Sequence, residues 1–138
     1  MSVPGLIAVV VALGVASVFG VLWRLRNGRL RPASAPDLLA ADSLGFELGE
    51  RATLVQFSSA FCRPCVATRH VLGGVAATVP GVRHIEVDAE SHLDLVRLLD
   101  VTSTPTTLLL DRTGRVRRRA TGVPRRDAVL AALADVVD

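Results

Sequence analysis

Lysine and tyrosine are absent from this sequence, tryptophan occurs once, and there are only two cysteines. Each absence excludes something. With Trp23, four phenylalanines and no tyrosine, the chain has no series of aromatic platforms on which nucleic-acid bases stack. All sixteen basic residues are arginines, and four of them (Arg24, Arg26, Arg29, Arg31) sit in one short stretch. The other twelve face thirteen acids, leaving the remainder of the chain at 12 − 13 = −1, so the basic balance is not the footprint of a nucleic-acid binder. One CxxC supplies only two of the four ligands of a structural zinc site, and His70, His84 and His92 stand in no HxxxH-type spacing, so no metal is expected. There is no internal repeat and no low-complexity tract.

Charge is missing altogether from Val3 to Trp23, VPGLIAVVVALGVASVFGVLW. At about 1.5 Å per helical residue this run crosses a hydrocarbon layer of about 30 Å, and it has no polar face to turn toward solvent. A transmembrane helix is predicted. A secretory leader is the competing reading, but leaders carry a basic stretch before a shorter apolar core, and here only Met1 and Ser2 precede the run. The arginine cluster that follows predicts a cytoplasmic position for everything after Trp23, since short-range arginines stay on that face. The organisation expected is an anchor at 1–23, a basic juxtamembrane segment and linker at 24–36 ending in the PASAP run, and a folded domain at 37–138. Membrane lipid is an expected partner through residues 3–31.

Within that domain the pattern alternates. Asp37 to Leu44 reads as a short helix capped by Asp37, and Gly45 to Arg51 as a loop. Ala52 to Phe57 (ATLVQF) reads as a buried strand. A helix runs from Cys62 to about Val79, where Pro80-Gly81 stops it. Val82 to Asp88 is a second strand, and Ser91 to Asp100 a helix with one apolar side. Thr106 to Asp111 and Arg115 to Thr121 form a hairpin about Arg112-Thr113-Gly114. A last helix carries Val129, Leu130, Leu133, Val136 and Val137. The order β-α-β-α-β-β-α implies a mixed sheet with helices on both faces. Arg115, Arg117, Arg118 and Arg119 read as a charged sheet edge that blocks pairing with other sheets; a contact with anionic headgroups is the alternative.

The two cysteines lie in FSSAFCRPC, Phe57 to Cys65. A static disulfide here closes too short a loop to remove much chain entropy. A working redox pair has positive support. Cys62 stands where a strand and loop deliver the chain to a helix, so its sulfur meets unpaired N–H groups and the positive dipole end, which favour the thiolate. Arg63 adds a fixed positive charge, Pro64 is tolerated in the first turn, and Cys65 lies one turn on, the more buried of the two.

CRPC after a strand, and TSTPT before a hairpin about forty residues later, resemble the thioredoxin family over roughly Ala52 to Val137. The resemblance implies a three-layer thioredoxin-like α/β fold with a mixed central sheet. It implies that Cys62 is the attacking and Cys65 the resolving cysteine. It also implies a cis Thr104-Pro105 bond beside Cys62, with the Thr104 backbone pairing with an extended stretch of substrate. The sequence departs from the family at sites that tune the chemistry. Phe61 and Arg63 replace the usual tryptophan and glycine. Gln56 stands for a buried aspartate and cannot accept a proton, and His84 stands for that acid's lysine partner. A rebuilt proton route, through water or His84, follows. By favouring the reduced thiolate, Arg63 implies a reduction potential above thioredoxin's.

The function expected is that of a membrane-anchored thiol–disulfide oxidoreductase. Its substrates are disulfide-containing proteins, an unnamed reductase supplies electrons, and no cofactor is implied. An extracytoplasmic thiol reductase in cytochrome or disulfide maturation, and a non-enzymatic binding module on the same fold, remain as alternatives.

Overall fold

The computed structural model describes residues 2–32 and 45–137. Helix α1 spans Val3–Arg26, opened by Pro4 in its first turn and lined with apolar side chains all round. It is long and apolar enough to cross a membrane, and it buries no residue against the rest of the protein. The expected helix at Asp37 to Leu44 lies outside the described residues.

A five-stranded mixed sheet forms the centre, in the order β1-β5-β4-β2-β3. β1 is Arg31–Pro32, β2 Ala52–Ser58, β3 Val82–Asp88, β4 Thr106–Asp111 and β5 Val116–Thr121. β2 and β3 run parallel, joined by helix α2 (Arg63–Thr78), while β2–β4 and β4–β5 are antiparallel. Helix α3 (Leu93–Leu98) leads toward β4, and α4 (Arg126–Val137) closes the chain. The expected strand and helix order from Ala52 onward is found.

Alternation along β2 explains the two cores, because successive side chains of a strand point to opposite faces. Val55 and Phe57 join Ile85, Val87, Leu108 and Leu110 under Leu95 and Leu99 of the α3 segment. Ala52 and Leu54 join Leu109 under Leu72 and Val75 of α2 and Val129 and Leu133 of α4. A strand buried on both faces reads as a continuous apolar run, as ATLVQF does.

Three local readings change. α3 is six residues long, against the ten from Ser91 to Asp100. The Asp88 carboxylate accepts from the Glu90 N–H and the Ser91 hydroxyl, and this local turn competes with helix at its start. Leu93 and Leu98, read as part of the apolar side, are exposed. The charged edge expected at β5 is covered in part: β1 pairs Arg31 with Arg119 and Pro32 with Arg118. Those arginines have other partners. Arg119 donates to the carbonyls of Leu99 and Asp100 at the end of α3, and Arg118 donates to Asp135 of α4.

The segment after α1 is also seated on the sheet. Gly28 N–H donates to the Thr121 carbonyl at 2.5 Å, with Gly28 at φ 77°. A Cβ there would collide with the Val123 carbonyl, and one on Gly122 would meet the Asn27 side chain at 2.6 Å. Only glycine adopts this geometry without strain, so the two backbones lie in direct contact.

Candidate active site

Strand period and helix start together assemble the site. Ser58 ends β2, a short loop follows, and Cys62 is the N-cap of α2 in extended conformation (φ −94°, ψ 98°). Its sulfur accepts the Cys65 backbone N–H at 3.2 Å, one of the donors a helix leaves unpaired at its start. Pro64 falls in the first turn, where no N–H is needed. Cys62 is half-buried, Cys65 is 2% exposed, and the two are joined by a disulfide.

Phe61, just before the pair, is in the left-handed region (φ 59°) with its ring wholly exposed. A non-glycine residue there is strained by about 1–3 kcal/mol. Its ring, Val66, Arg63 and Arg69 border a shallow groove that also touches Ser59, Cys62 and Cys65. The Thr104-Pro105 bond is cis. The Thr104 and Ser59 hydroxyls lie 2.8 Å apart, tying the loop before Pro105 to the loop before Cys62.

Beneath α2, the period-two alternation brings Gln56 and Ser58 of β2 to the same face as His84 and Glu86 of β3, with Leu54 paired to His84 and Gln56 to Glu86. Gln56 is fully buried. Its Nε2 donates to the Cys65 carbonyl at 2.8 Å and to Ser58 Oγ at 2.9 Å, and its Oε1 lies 3.0 Å from His84 Nε2. The polarity of this network is forced. A carbonyl accepts only, so the Gln56 amide nitrogen faces Cys65 and its oxygen faces His84, which therefore carries its proton on Nε2. Ser58 accepts from Gln56, and its hydroxyl helps to hold the Glu86 carboxylate ionised. Arg69 of α2 grips Glu86 with two bonds of 2.5 and 2.6 Å.

The sequence reading thus placed Gln56 and His84 in one site, and the structure joins them by a hydrogen bond. It missed Ser58, Ser59, Arg69 and Glu86. The serines had a faint signal, two hydroxyls between a buried strand and a CxxC. The Arg69–Glu86 pair had none, because its members are seventeen positions apart. Among the described residues no cluster of histidine, cysteine or acid is disposed to hold a metal.

Burial lowers the His84 pKa below its ordinary 6.5, with Glu86 opposing and Arg69 reinforcing the shift. The Arg69 hydrogen bonds hold Glu86 below its ordinary 4.5 against the effect of burial. Both depressed groups bind more protons when unfolded, so both stabilise the fold at neutral pH and lose that contribution as pH falls. The thermal midpoint is expected to begin dropping as pH passes below 6.5, with Glu86 adding to the loss below 4.5. In His84→Gln the first part of the drop is expected to flatten. A midpoint that rises on acidification through this range would contradict the buried neutral imidazole.

The sequence pattern of the thioredoxin family matches residues 46–135. No curated protein matches the chain. Among solved structures it is similar to a mutant thioredoxin from Halobacterium salinarum, 19% identical, covering 64% of this chain and 77% of that one, with TM-score 0.58. It is similar to oxidised mitochondrial thioredoxin 3 from Saccharomyces cerevisiae, 22% identical, with coverages of 62% and 79% and TM-score 0.55. Thioredoxin F from spinach chloroplast is 21% identical, with coverages of 65% and 80% and TM-score 0.56. At these identities the likeness bears on the fold alone.

Proposed function

The chain belongs to the thioredoxin family, and from that premise we propose that it is a membrane-anchored oxidoreductase that exchanges its Cys62–Cys65 pair with protein disulfides. The observation that carries this reading is the Cys62 sulfur seated at the start of α2 on the Cys65 N–H. In the reduced protein that hydrogen bond and the helix dipole stabilise the Cys62 thiolate, which is the nucleophile in exchange. The thiolate attacks one sulfur of a substrate disulfide, and the other substrate sulfur leaves as a thiolate. Cys65 then gives up its proton and displaces the first substrate sulfur, so two electrons pass to the substrate and the Cys62–Cys65 disulfide remains. A reductase must return those electrons.

Thr104 presents its backbone for pairing with an extended substrate segment next to the disulfide. Phe61 and Val66 offer apolar contact, and Arg63 supports the thiolate. Gln56 and His84 tune the second step. Gln56 holds the Cys65 carbonyl but carries no titratable proton, which leaves His84 Nδ1 as the basic atom of this network. The anchor is α1, and the arginines after Trp23 favour a cytoplasmic domain. There, thiols are kept reduced and net reduction of substrates follows.

Insulin reduction tests the reading. With dithiothreitol as electron donor, the protein is expected to accelerate precipitation of the insulin B chain, and Cys62→Ser to match the uncatalysed blank. A wild-type rate equal to the blank would leave a binding module on the same fold as the better description.

A further inference from the structure

The end of the sheet that carries the active site is the end at which the anchor is attached. Ser58, at the C-terminal end of β2, leads into the Cys62 loop, and Pro105 immediately precedes β4. In the sheet register Phe57 pairs with Thr106 and Thr106 pairs with Thr121, so the last residue of β5 belongs to this same end. Gly122 N–H donates to the Pro105 carbonyl at 2.9 Å, and Gly28 N–H donates to the Thr121 carbonyl at 2.5 Å. Asn27 packs on Gly122. An unbroken series of contacts thus runs from the foot of α1 through Gly122 to Pro105, Thr104 and Ser59, beside the cysteines. The β4–β5 turn and Gly81 occupy the far end, where Ala52 pairs with both Asp111 and Val82.

The connection is short as well as seated. α1 ends at Arg26, and only Asn27 separates it from the docked Gly28, so the intervening chain reaches about 7 Å at most. Trp23 and the basic residues of the last turn belong at headgroup level. We propose that this protein presents its CxxC face to the bilayer surface and that its exchange partners are disulfides held at that surface by membrane-embedded proteins. The exposed Phe61 ring and Val66 border the groove facing such a partner. This rests on the membrane-anchored oxidoreductase reading above.

The test uses the full chain in lipid vesicles, prereduced with dithiothreitol and freed of it. The probe is a phosphatidylethanolamine whose headgroup bears a pyridyl disulfide, compared with a water-soluble pyridyl disulfide. The Cys62 thiolate attacks the lipid-side sulfur, pyridine-2-thione leaves and is read by its absorbance. Cys65 then displaces the lipid thiol and closes the Cys62–Cys65 disulfide. A second protein carries a flexible Gly/Ser spacer of about twenty residues after Arg26, giving a reach of roughly 25 Å while leaving the docked Gly28 in place.

The lipid-linked probe is expected to react at least about tenfold faster with the native chain than with the spacer variant, because the spacer dilutes the thiol away from the surface. The soluble probe is expected to react equally with both. If the spacer variant reacts as fast as the native chain or faster on the lipid probe, the presentation is overturned while the oxidoreductase reading stands. Failure of the native chain to float with the vesicles overturns the anchor and this inference together. Failure of both proteins on the soluble probe overturns the redox chemistry and, with it, the inference.

Discussion

Cys65→Ser is expected to cut multiple-turnover reduction of protein disulfides by at least about a hundredfold, because a neighbouring thiol held in place has an effective molarity far above that of millimolar thiol in solution. The same variant is expected to accumulate covalent adducts. Cys62 still attacks, the substrate's leaving thiolate still departs, but nothing displaces the substrate from Cys62. Cells expressing the full chain with this substitution should yield high-mass bands on non-reducing gels that vanish with dithiothreitol. Cys62→Ser should give neither adducts nor turnover. The two cysteines differ in this way because Cys65 is buried and Cys62 is not. Adducts on Cys65 in a Cys62→Ser protein, at the level seen on Cys62, would reverse the assigned roles.

Gln56→Leu is expected to lower the stability of the oxidised protein by about 2–3 kcal/mol, since a buried polar group left without its partner costs about 1–3 kcal/mol. Gln56 is fully buried and makes three hydrogen bonds. Leucine keeps much of the volume and none of the bonds. His84 Nε2–H then loses its acceptor, and the Cys65 carbonyl keeps only what α2 supplies. For a domain of this size the change corresponds to a drop of roughly 10 °C in thermal midpoint. The functional consequence is separate. Cys65 loses the clamp on its carbonyl, and the resolving step is expected to slow more than the attack by Cys62. Single-turnover kinetics that separate the two steps check this; an unchanged resolving rate would make Gln56 a structural residue only.

The redox pair was legible in the sequence because its evidence is local. A strand-like run, a turn, Cys-Arg-Pro-Cys and a helix follow one another within a short stretch, and the helix start supplies the electrostatics without help from elsewhere. The same holds for the buried strand ATLVQF and for the hairpin about Gly114. α3 was overestimated because Leu93 and Leu98 fit the apolar period yet face solvent. Pattern reports which residues share a side of a helix and says nothing of how much of that side is covered. The arginines of β5 were read as an edge because charge on a strand ordinarily marks one. A two-residue strand contributed by the segment after α1, with glycines making room for it, has no such signature.

By itself, then, the order of residues determined that a charge-free run precedes an α/β domain and that its only two cysteines flank a helix start. Periodicity and capping are properties of neighbours in the chain, so they can be read there. Tertiary structure alone decided that Gln56 bridges the Cys65 carbonyl to His84, that Arg69 locks Glu86, and that Gly28 and Gly122 bring the foot of α1 against the Pro105 loop. Each of those facts is a meeting of residues from different strands and helices. Sheet order and register determine such meetings, and hydrogen bonds between distant backbones set both.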